Sequence, residues 1–170
     1  MLVITDTGPL NYLVLIEQVD VLPVLFERVV IPQAVAEELQ RAGTPEVVRQ
    51  WMAAPPSWCL IEQRRGPLDP TLASLGEGEQ EAIALYHCLG ADVLLMDDRR
   101  GRREAQARGI PVIRTLAVLE QASLEGLLDL PTVLARLQAT TFYAPQHIID
   151  AMLERHRQRP SPPQPPSPAP

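Results

Sequence analysis

Lysine is absent from this chain of 170 residues, and all 15 of its fixed cations are arginines. That absence excludes a P-loop lysine on a phosphate, a Schiff base, a lysine general base and a receiver-domain lysine. The guanidinium groups suit bidentate contact with phosphate, although compositional drift toward Arg, Ala and Pro is the plainer account of the bias. Cysteine is almost as scarce. Cys59 and Cys88 make neither a zinc pattern nor a disulfide framework, and His87, His147 and His156 are scattered; both cysteines read as small apolar fillers. No apolar run approaches the roughly 18 residues of a membrane span. Met1 is followed by four uncharged residues and then by Asp6, unlike a signal or transit peptide. A cytoplasmic protein with no membrane partner is expected. A net charge of −6 argues against a broadly basic nucleic-acid coat, while leaving room for a local basic patch.

Proline is abundant, and seven of the 18 prolines fall in the last twelve residues. Residues 159–170 therefore read as a disordered, polyproline-like tail with nothing to bury. The rest of the chain is long enough for one domain with a self-sufficient core.

Apolar, β-branched runs alternate with helical patterns along it. Leu2 to Thr5, Arg28 to Ile31, Trp58 to Glu62, Asp92 to Met96 and Ile110 to Arg114 read as strands. Helices are expected from Pro9 to Ile16, Val19 to Phe26 (interrupted by Pro23), Pro32 to Ala42 (closed by Gly43), and from Pro45 up to Pro55. Further helices are expected over Gly76 to Leu89 with Gly90 beyond, Arg99 to Arg108, Leu116 to Leu127, Pro131 to Gln138 and Pro145 to Gln158. Continuous apolar strands alternating with helices point to an α/β protein with a parallel sheet covered on both faces.

In such sheets ligands bind outside the carboxyl ends of the strands, and acids sit there. Asp6 follows the first strand, and Asp97 and Asp98 follow the run ending at Met96. Each has a plain alternative role as a helix N-cap. Glu79 shares a helical stripe with Ala82, Ile83, Tyr86 and Leu89, so it faces the sheet, whereas Glu77 and Glu81 fall on a more solvated face. Glu38 lies at the edge of the stripe marked by Ala34 and Val35, with Glu37 pointing outward. An acid aimed at a core is costly unless compensated, and for Glu79 the helix dipole offers one compensation. Convergence of Asp6, Glu38, Glu79 and Asp97 would raise their pKa values or call for a cation. Oxygen donors without His or Cys suit Mg²⁺ or Mn²⁺ better than zinc, and such a cluster serves metal-assisted phosphodiester hydrolysis. Beside it runs Arg99-Arg100-Gly101-Arg102-Arg103. Much of that run reads as a solvated helix face, but Arg99 and Arg100 directly follow the acids and are candidates for holding a phosphate.

Four blocks now stand in order: Asp6-Thr7-Gly8-Pro9-Leu10; Ile31-Pro-Gln-Ala-Val-Ala-Glu-Glu38-Leu39; Gly78-Glu79-Gln-Glu-Ala-Ile-Ala-Leu85; and Leu95-Met-Asp97-Asp98-Arg-Arg-Gly-Arg-Arg103. Together they resemble the PIN-domain superfamily, and in particular its VapC-like members. The resemblance implies a three-layer α/β/α sandwich with a parallel sheet of four or five strands. It places a PIN-like domain over residues 1–142, with a C-terminal helix over 143–158 packed on that domain or extending from it. It implies a Mg²⁺- or Mn²⁺-dependent ribonuclease, often the toxin of a toxin–antitoxin pair, with an RNA substrate, a small antitoxin protein and a homodimeric state. Asp6, Glu38, Glu79 and Asp97 match the catalytic acids. Asp6, Glu79, Asp97 and Asp98 are the metal candidates, and Thr7, Arg99 and Arg100 the substrate-binding ones. Two positions depart from the family pattern: Glu79 stands where Asp is frequent, and Gly8 where Ser or Thr is common. Two other readings compete with this one. Asp6-Thr7-Gly8 also spells the aspartic-protease triplet, which the helical pattern and Pro9 contradict. A PIN-like module that binds RNA or protein without cutting remains open.

Overall fold

Strand β1 (Leu2–Thr5) is buried along its whole length, and the sheet grows outward from it. The computed structural model describes residues 1–159, so the proline-rich tail from residue 160 onward lies outside the described residues. β2 (Arg28–Pro32) and β4 (Val93–Leu95) flank β1. β3 (Cys59–Glu62) lies beyond β2, and β5 (Val112–Ile113) beyond β4. The order is β3-β2-β1-β4-β5, and every pairing is parallel. The chain thus builds one half of the sheet on one side of β1 and then returns to build the other. The reversal falls between β1 and β4, where the carboxyl ends of two neighbouring strands leave a crevice.

Alternation along the strands divides the apolar residues between two cores. Val3, Val29, Ile31, Val93 and Leu95 face a larger core. Covering it are α1 (Thr7–Leu15), α2 (Leu22–Leu25), α3 (Gln33–Glu38), α4 (Glu46–Ala53), α7 (Thr115–Leu124), α8 (Leu130–Gln138) and α9 (Gln146–Arg157). Leu2, Ile4, Val30, Leu94 and Met96 face a smaller core under α5 (Glu77–Leu89) and α6 (Arg99–Ala107). The result is an α/β sandwich with five parallel strands. α9 packs on it through Ile149 and Met152, both buried in the larger core. No helix among the described residues is long and apolar enough to cross a membrane.

Several elements end elsewhere than the sequence suggests. α3 stops at Glu38, not Ala42. Beyond it the amides of Gln40 and Arg41 turn to carbonyls three residues back, and the Thr44 hydroxyl donates to the Glu38 carbonyl at 3.1 Å, so the helix tightens and closes before Gly43. Pro23 does not interrupt a helix. It sits in the first turn of α2 after a 3₁₀ turn at Val19–Val21, where its missing N–H is harmless. Gly90 closes α5 in the left-handed conformation, φ 61°. Cys88 is exposed and fills no core.

Glu81 is the larger correction. Helical spacing put it on a solvated face, but it is only 5% exposed. Its carboxylate accepts from the Ala34 amide at 2.6 Å and from the Arg64 amide at 3.0 Å. α3 begins after Pro32 with no side-chain cap of its own, and Glu81 supplies that cap from α5 while tying down the chain beyond β3. Glu81→Ala leaves two amides without a partner, at about 1–3 kcal/mol each. Its melting temperature is expected to fall by roughly 4–20 °C, and an unchanged value in thermal unfolding would remove the capping role.

Candidate functional site

Asp6 leaves β1 in extended conformation, and its amide donates to the Leu95 carbonyl at 2.9 Å, carrying the β1–β4 ladder one step past the strand. Although it occupies the N-cap position of α1, its side chain caps nothing there. The capping alternative therefore fails for Asp6. For Asp98 it holds, since one carboxylate oxygen accepts from the Arg100 and Gly101 amides at 2.7 and 3.0 Å. Asp97 is held differently again. Its two oxygens accept from the Thr115 amide at 3.0 Å and the Thr115 hydroxyl at 2.5 Å, joining the end of β4 to the start of α7.

A cleft of about 250 Å³ opens at this edge, lined by Asp6, Thr7, Glu38, Ser74, Gly76, Glu79, Asp98 and Arg100. Six of the residues singled out from sequence thus line one space. Asp97 and Arg99 are outside the lining. Asp97 stands behind it, close enough for its charge to act on Asp6, and Arg99 is exposed at the start of α6. Within the cleft the Thr7 hydroxyl donates to Glu38 Oε2 at 2.6 Å, and the Gly78 amide approaches Oε1 at 3.3 Å. The Gly76 amide donates to Glu79 Oε2 at 2.9 Å. At the rim, Arg100 donates from Nη2 to the Ser74 carbonyl at 2.7 Å.

Two glycines allow helices and acids to crowd this way. A Cβ on Gly101 would stand 2.6 Å from Glu79 Oε1 and 2.5 Å from Met96 Sδ, and one on Gly78 would stand 2.9 Å from Val35 Cγ2 and 3.4 Å from both Glu38 carboxylate oxygens. Only a residue without a side chain permits such an approach. Gly8 is different: a Cβ there meets nothing nearer than Asp97 Cβ at 3.9 Å, so the backbone has room for the hydroxyl residue common at this position.

Crowding shows in the titration of the acids. Asp6 is pushed up to about 7, chiefly by burial; the neighbouring Thr7 amide opposes this, and the charges of Glu79, Glu38 and Asp97 add to it. Glu79 is raised by burial, against the pull of the Gly76 amide, and further by Asp98, with Arg100 opposing. Asp97 is raised by burial despite the two Thr115 hydrogen bonds and the nearby Arg114 and Arg102. For Asp98 burial also favours the neutral form, but the amides of Gly101 and Arg100 and a hydrogen bond shared with Glu79 outweigh it, so its pKa lies below the ordinary range.

The acidic donors at the cleft are all carboxylate oxygens, a set whose chemistry suits a hard divalent cation. As they stand, no three His, Cys, Asp or Glu side chains among the described residues are grouped so that they could hold a metal ion. Protein donors occupy Glu38, Glu79, Asp97 and Asp98 instead. Cation binding would exchange some of those hydrogen bonds for ligation.

Sequence spacing did not identify Ser74 and Gly76 as lining residues, because they belong to the irregular segment before α5 and carry no periodic signal. Thr115 was likewise missed. Its partner Asp97 is 18 residues away, and only β4–β5 pairing brings them together.

The PIN-domain family DUF3368 matches residues 2–158. No curated protein matches the chain. Among solved structures, a PilT N-terminus domain protein from the hyperthermophilic archaeon Sulfolobus solfataricus P2 is similar at a TM-score of 0.50 and 16% identity, over 72% of this chain and 93% of that one. At that identity the likeness concerns the fold alone. With a family match over nearly the whole described chain and a parallel sheet whose carboxyl edge gathers the four sequence blocks, the chain belongs to the PIN-domain family.

Proposed function

We propose that this PIN-domain chain is a metal-dependent endoribonuclease that hydrolyses RNA phosphodiester bonds, and that it is the toxin of a VapC-like toxin–antitoxin pair. One observation carries the catalytic half: Asp6, Glu38, Glu79 and Asp98 line one cleft where the strand order reverses. The toxin half rests on the resemblance of the four sequence blocks. Its partners would be a small antitoxin protein and a second copy of the chain, in the cytoplasm.

Asp6, Glu79 and Asp98 would hold one or two Mg²⁺ or Mn²⁺ ions, and Asp97 adds negative charge from behind Asp6. When bound, such an ion makes water more acidic and offsets charge on the phosphate oxygens. Glu38 has Oε2 committed to the Thr7 hydroxyl, while Oε1 has only the long Gly78 contact. Oε1 is therefore the atom able to orient an attacking water and take its proton. Thr7 fixes the carboxylate plane for that task. Arg100, tethered to Ser74, brings a guanidinium to the rim, where it can contact a phosphate oxygen. In-line hydrolysis leaves 5′-phosphate and 3′-hydroxyl ends.

Binding without cleavage has one observation in its favour, that Glu38, Glu79, Asp97 and Asp98 already have protein donors. Incubation of single-stranded RNA with Mn²⁺ separates the two. Cleavage is expected from the native protein, with a loss of about 100-fold or more in Asp6→Asn. Intact RNA, together with no stabilisation by divalent cation, would favour binding alone.

Stability should depend on pH in a defined direction. Asp6 titrates near 7 in the fold against 3.8 ordinarily, so between those values the native state keeps a proton that the unfolded chain has lost. That contribution is complete at low pH and disappears as pH rises through about 7. In EDTA the melting temperature of Asp6→Asn is expected to exceed that of the native protein by several degrees at about pH 8, and to converge with it at about pH 4. Mg²⁺ at the higher pH should raise the native value and leave the variant nearly unmoved. A native protein as stable as the variant at both pH values, and indifferent to Mg²⁺, would contradict the crowding of charge around Asp6.

Gly101→Ala tests the close approach of α6 to Glu79. The added methyl displaces the carboxylate and strains Met96, at about 1–3 kcal/mol, and cleavage is expected to fall about tenfold or more. Wild-type activity in this variant would show that the position of Glu79 is immaterial.

A further inference from the structure

Ser74 and Gly76 bring to the cleft wall a segment, Asp69 to Gly76, whose one regular piece is a 3₁₀ turn at Pro70–Leu72. Short bonds stiffen it: the Leu72 amide donates to the Asp69 carbonyl at 2.9 Å and the Leu75 amide to the Leu72 carbonyl at 2.8 Å. Leu72 and Leu75 are sunk in the smaller core, and the Gln80 side chain of α5 donates to the Leu75 carbonyl at 2.8 Å. At its end the Gly76 amide donates to Glu79 Oε2 at 2.9 Å. Where this segment lies therefore decides where one of the acids is held.

Its outer side is held by arginines of α6. Arg102 turns back to the Asp97 carbonyl at 2.6 Å, but Arg100 reaches the Ser74 carbonyl at 2.7 Å, and Arg108, at the C-cap of the helix, reaches the start of the segment. Arg108 is a bridge. Its Nη1 donates to the Glu104 carbonyl at 3.0 Å and to Glu104 Oε2 at 2.7 Å, both within α6. Its Nη2 leaves the helix, donating to the Thr71 hydroxyl at 2.7 Å and lying 3.7 Å from Asp69 Oδ2. Asp69 closes the circuit by accepting from the Thr71 amide at 2.9 Å and the Thr71 hydroxyl at 2.7 Å. The Arg108 side chain is 23% exposed, so water competes with these charge-assisted bonds less than with a fully exposed ion pair.

α6 is nine residues long, about 14 Å, so Arg108 stands a helix length from the acids, and it does not line the cleft. Any effect it has on chemistry passes through the segment. We infer that Arg108 is a positioning residue for the cleavage reaction: by pinning Asp69 and Thr71 to the end of α6 it keeps Ser74 and Gly76 at the cleft wall, and with them the amide that fixes the Glu79 carboxylate. This role rests on the ribonuclease function proposed above. It gives α6 two tasks, delivering Asp98 at its first turn and serving as a splint for the opposite wall along its length. Small displacements of an acid at such a site are costly to the rate.

Amide hydrogen exchange, together with steady-state cleavage of single-stranded RNA in Mn²⁺, tests the role on Arg108→Gln and on the milder Thr71→Val. The second variant leaves every charge and buried apolar contact in place, and so decides the matter should the first fail to fold. In both, exchange at Leu72, Leu75 and Gly76 is expected to quicken about tenfold or more. kcat should fall about tenfold while KM moves less than about threefold, because Arg108 touches no substrate. Combining the two substitutions should cost no more than Arg108→Gln alone, as for residues that share one contact. Arg108→Lys keeps the charge but loses the fork and should recover only part of the rate. Glu104→Gln, which alters only the contact within α6, should change neither exchange nor kcat. Native protein that cleaves RNA, with both variants unchanged in kcat, would overturn the positioning role and leave the nuclease standing, whether or not exchange had quickened. Native protein that cleaves no RNA would overturn both.

Discussion

Negative charge forced together at the carboxyl end of β1 is the constraint around which this molecule is arranged. β1 is the central strand and wholly buried, so the residue that follows it emerges against the end of β4 with little freedom to move away. The Asp6 amide is locked to the Leu95 carbonyl, and Glu79, Glu38 and Asp97 all bear on its carboxylate. Most of the nearby polar groups answer that charge. Thr115 satisfies Asp97, the first amides of α6 satisfy Asp98, Gly76 satisfies Glu79 and Thr7 satisfies Glu38. Asp6 is the most deeply buried of these acids and has only the neighbouring Thr7 amide to oppose that burial, so it departs furthest from ordinary carboxylate behaviour.

The unequal layers make this crowding sustainable. Helices α1 to α4 and α7 to α9 build a broad core on one face, and that burial stabilises a sheet whose edge is electrostatically unfavourable. Among the described residues the other face carries two α-helices, α5 and α6, with Leu72 and Leu75 beside them; these helices lie close to the strands and deliver Glu79 and Asp98. Gly78 and Gly101 let these helices sit so near. A side chain at either position would relieve the crowding and misplace an acid, an exchange between stability and activity common at functional sites. Glu81 anchors the same layer from below by capping α3 and holding the segment after β3.

The sequence was most legible where a residue's neighbours lie within one element. Apolar runs identified all five strands, and the helical stripe put Glu37 outward, as found, whereas Glu79 is half-buried at the edge of the cleft and not turned fully into the core. The acids after β1 and β4 followed from the rule that parallel sheets bind at their carboxyl ends. Long-range pairing was hidden. Glu81 looked solvated because helical periodicity knows nothing of the loop at Arg64 that covers it. Asp97 and Asp98 could not be told apart, since which one faces the cleft depends on Thr115, brought in by β5. The arginine run showed the same limit: its charge was visible, but the partnerships of Arg100 with Ser74 and of Arg102 with Asp97 depend on folding.

Carboxyl-carbon NMR titration of Asp6 in the metal-free protein is the most direct measurement of the forced proximity on which the site depends. A midpoint near 7 is expected, falling well below that value when Mg²⁺ is added and by a smaller step when Glu79 is replaced by Gln, because burial outweighs the Glu79 charge. A midpoint near 3.8, the ordinary value for an aspartate, unmoved by either change, would contradict it.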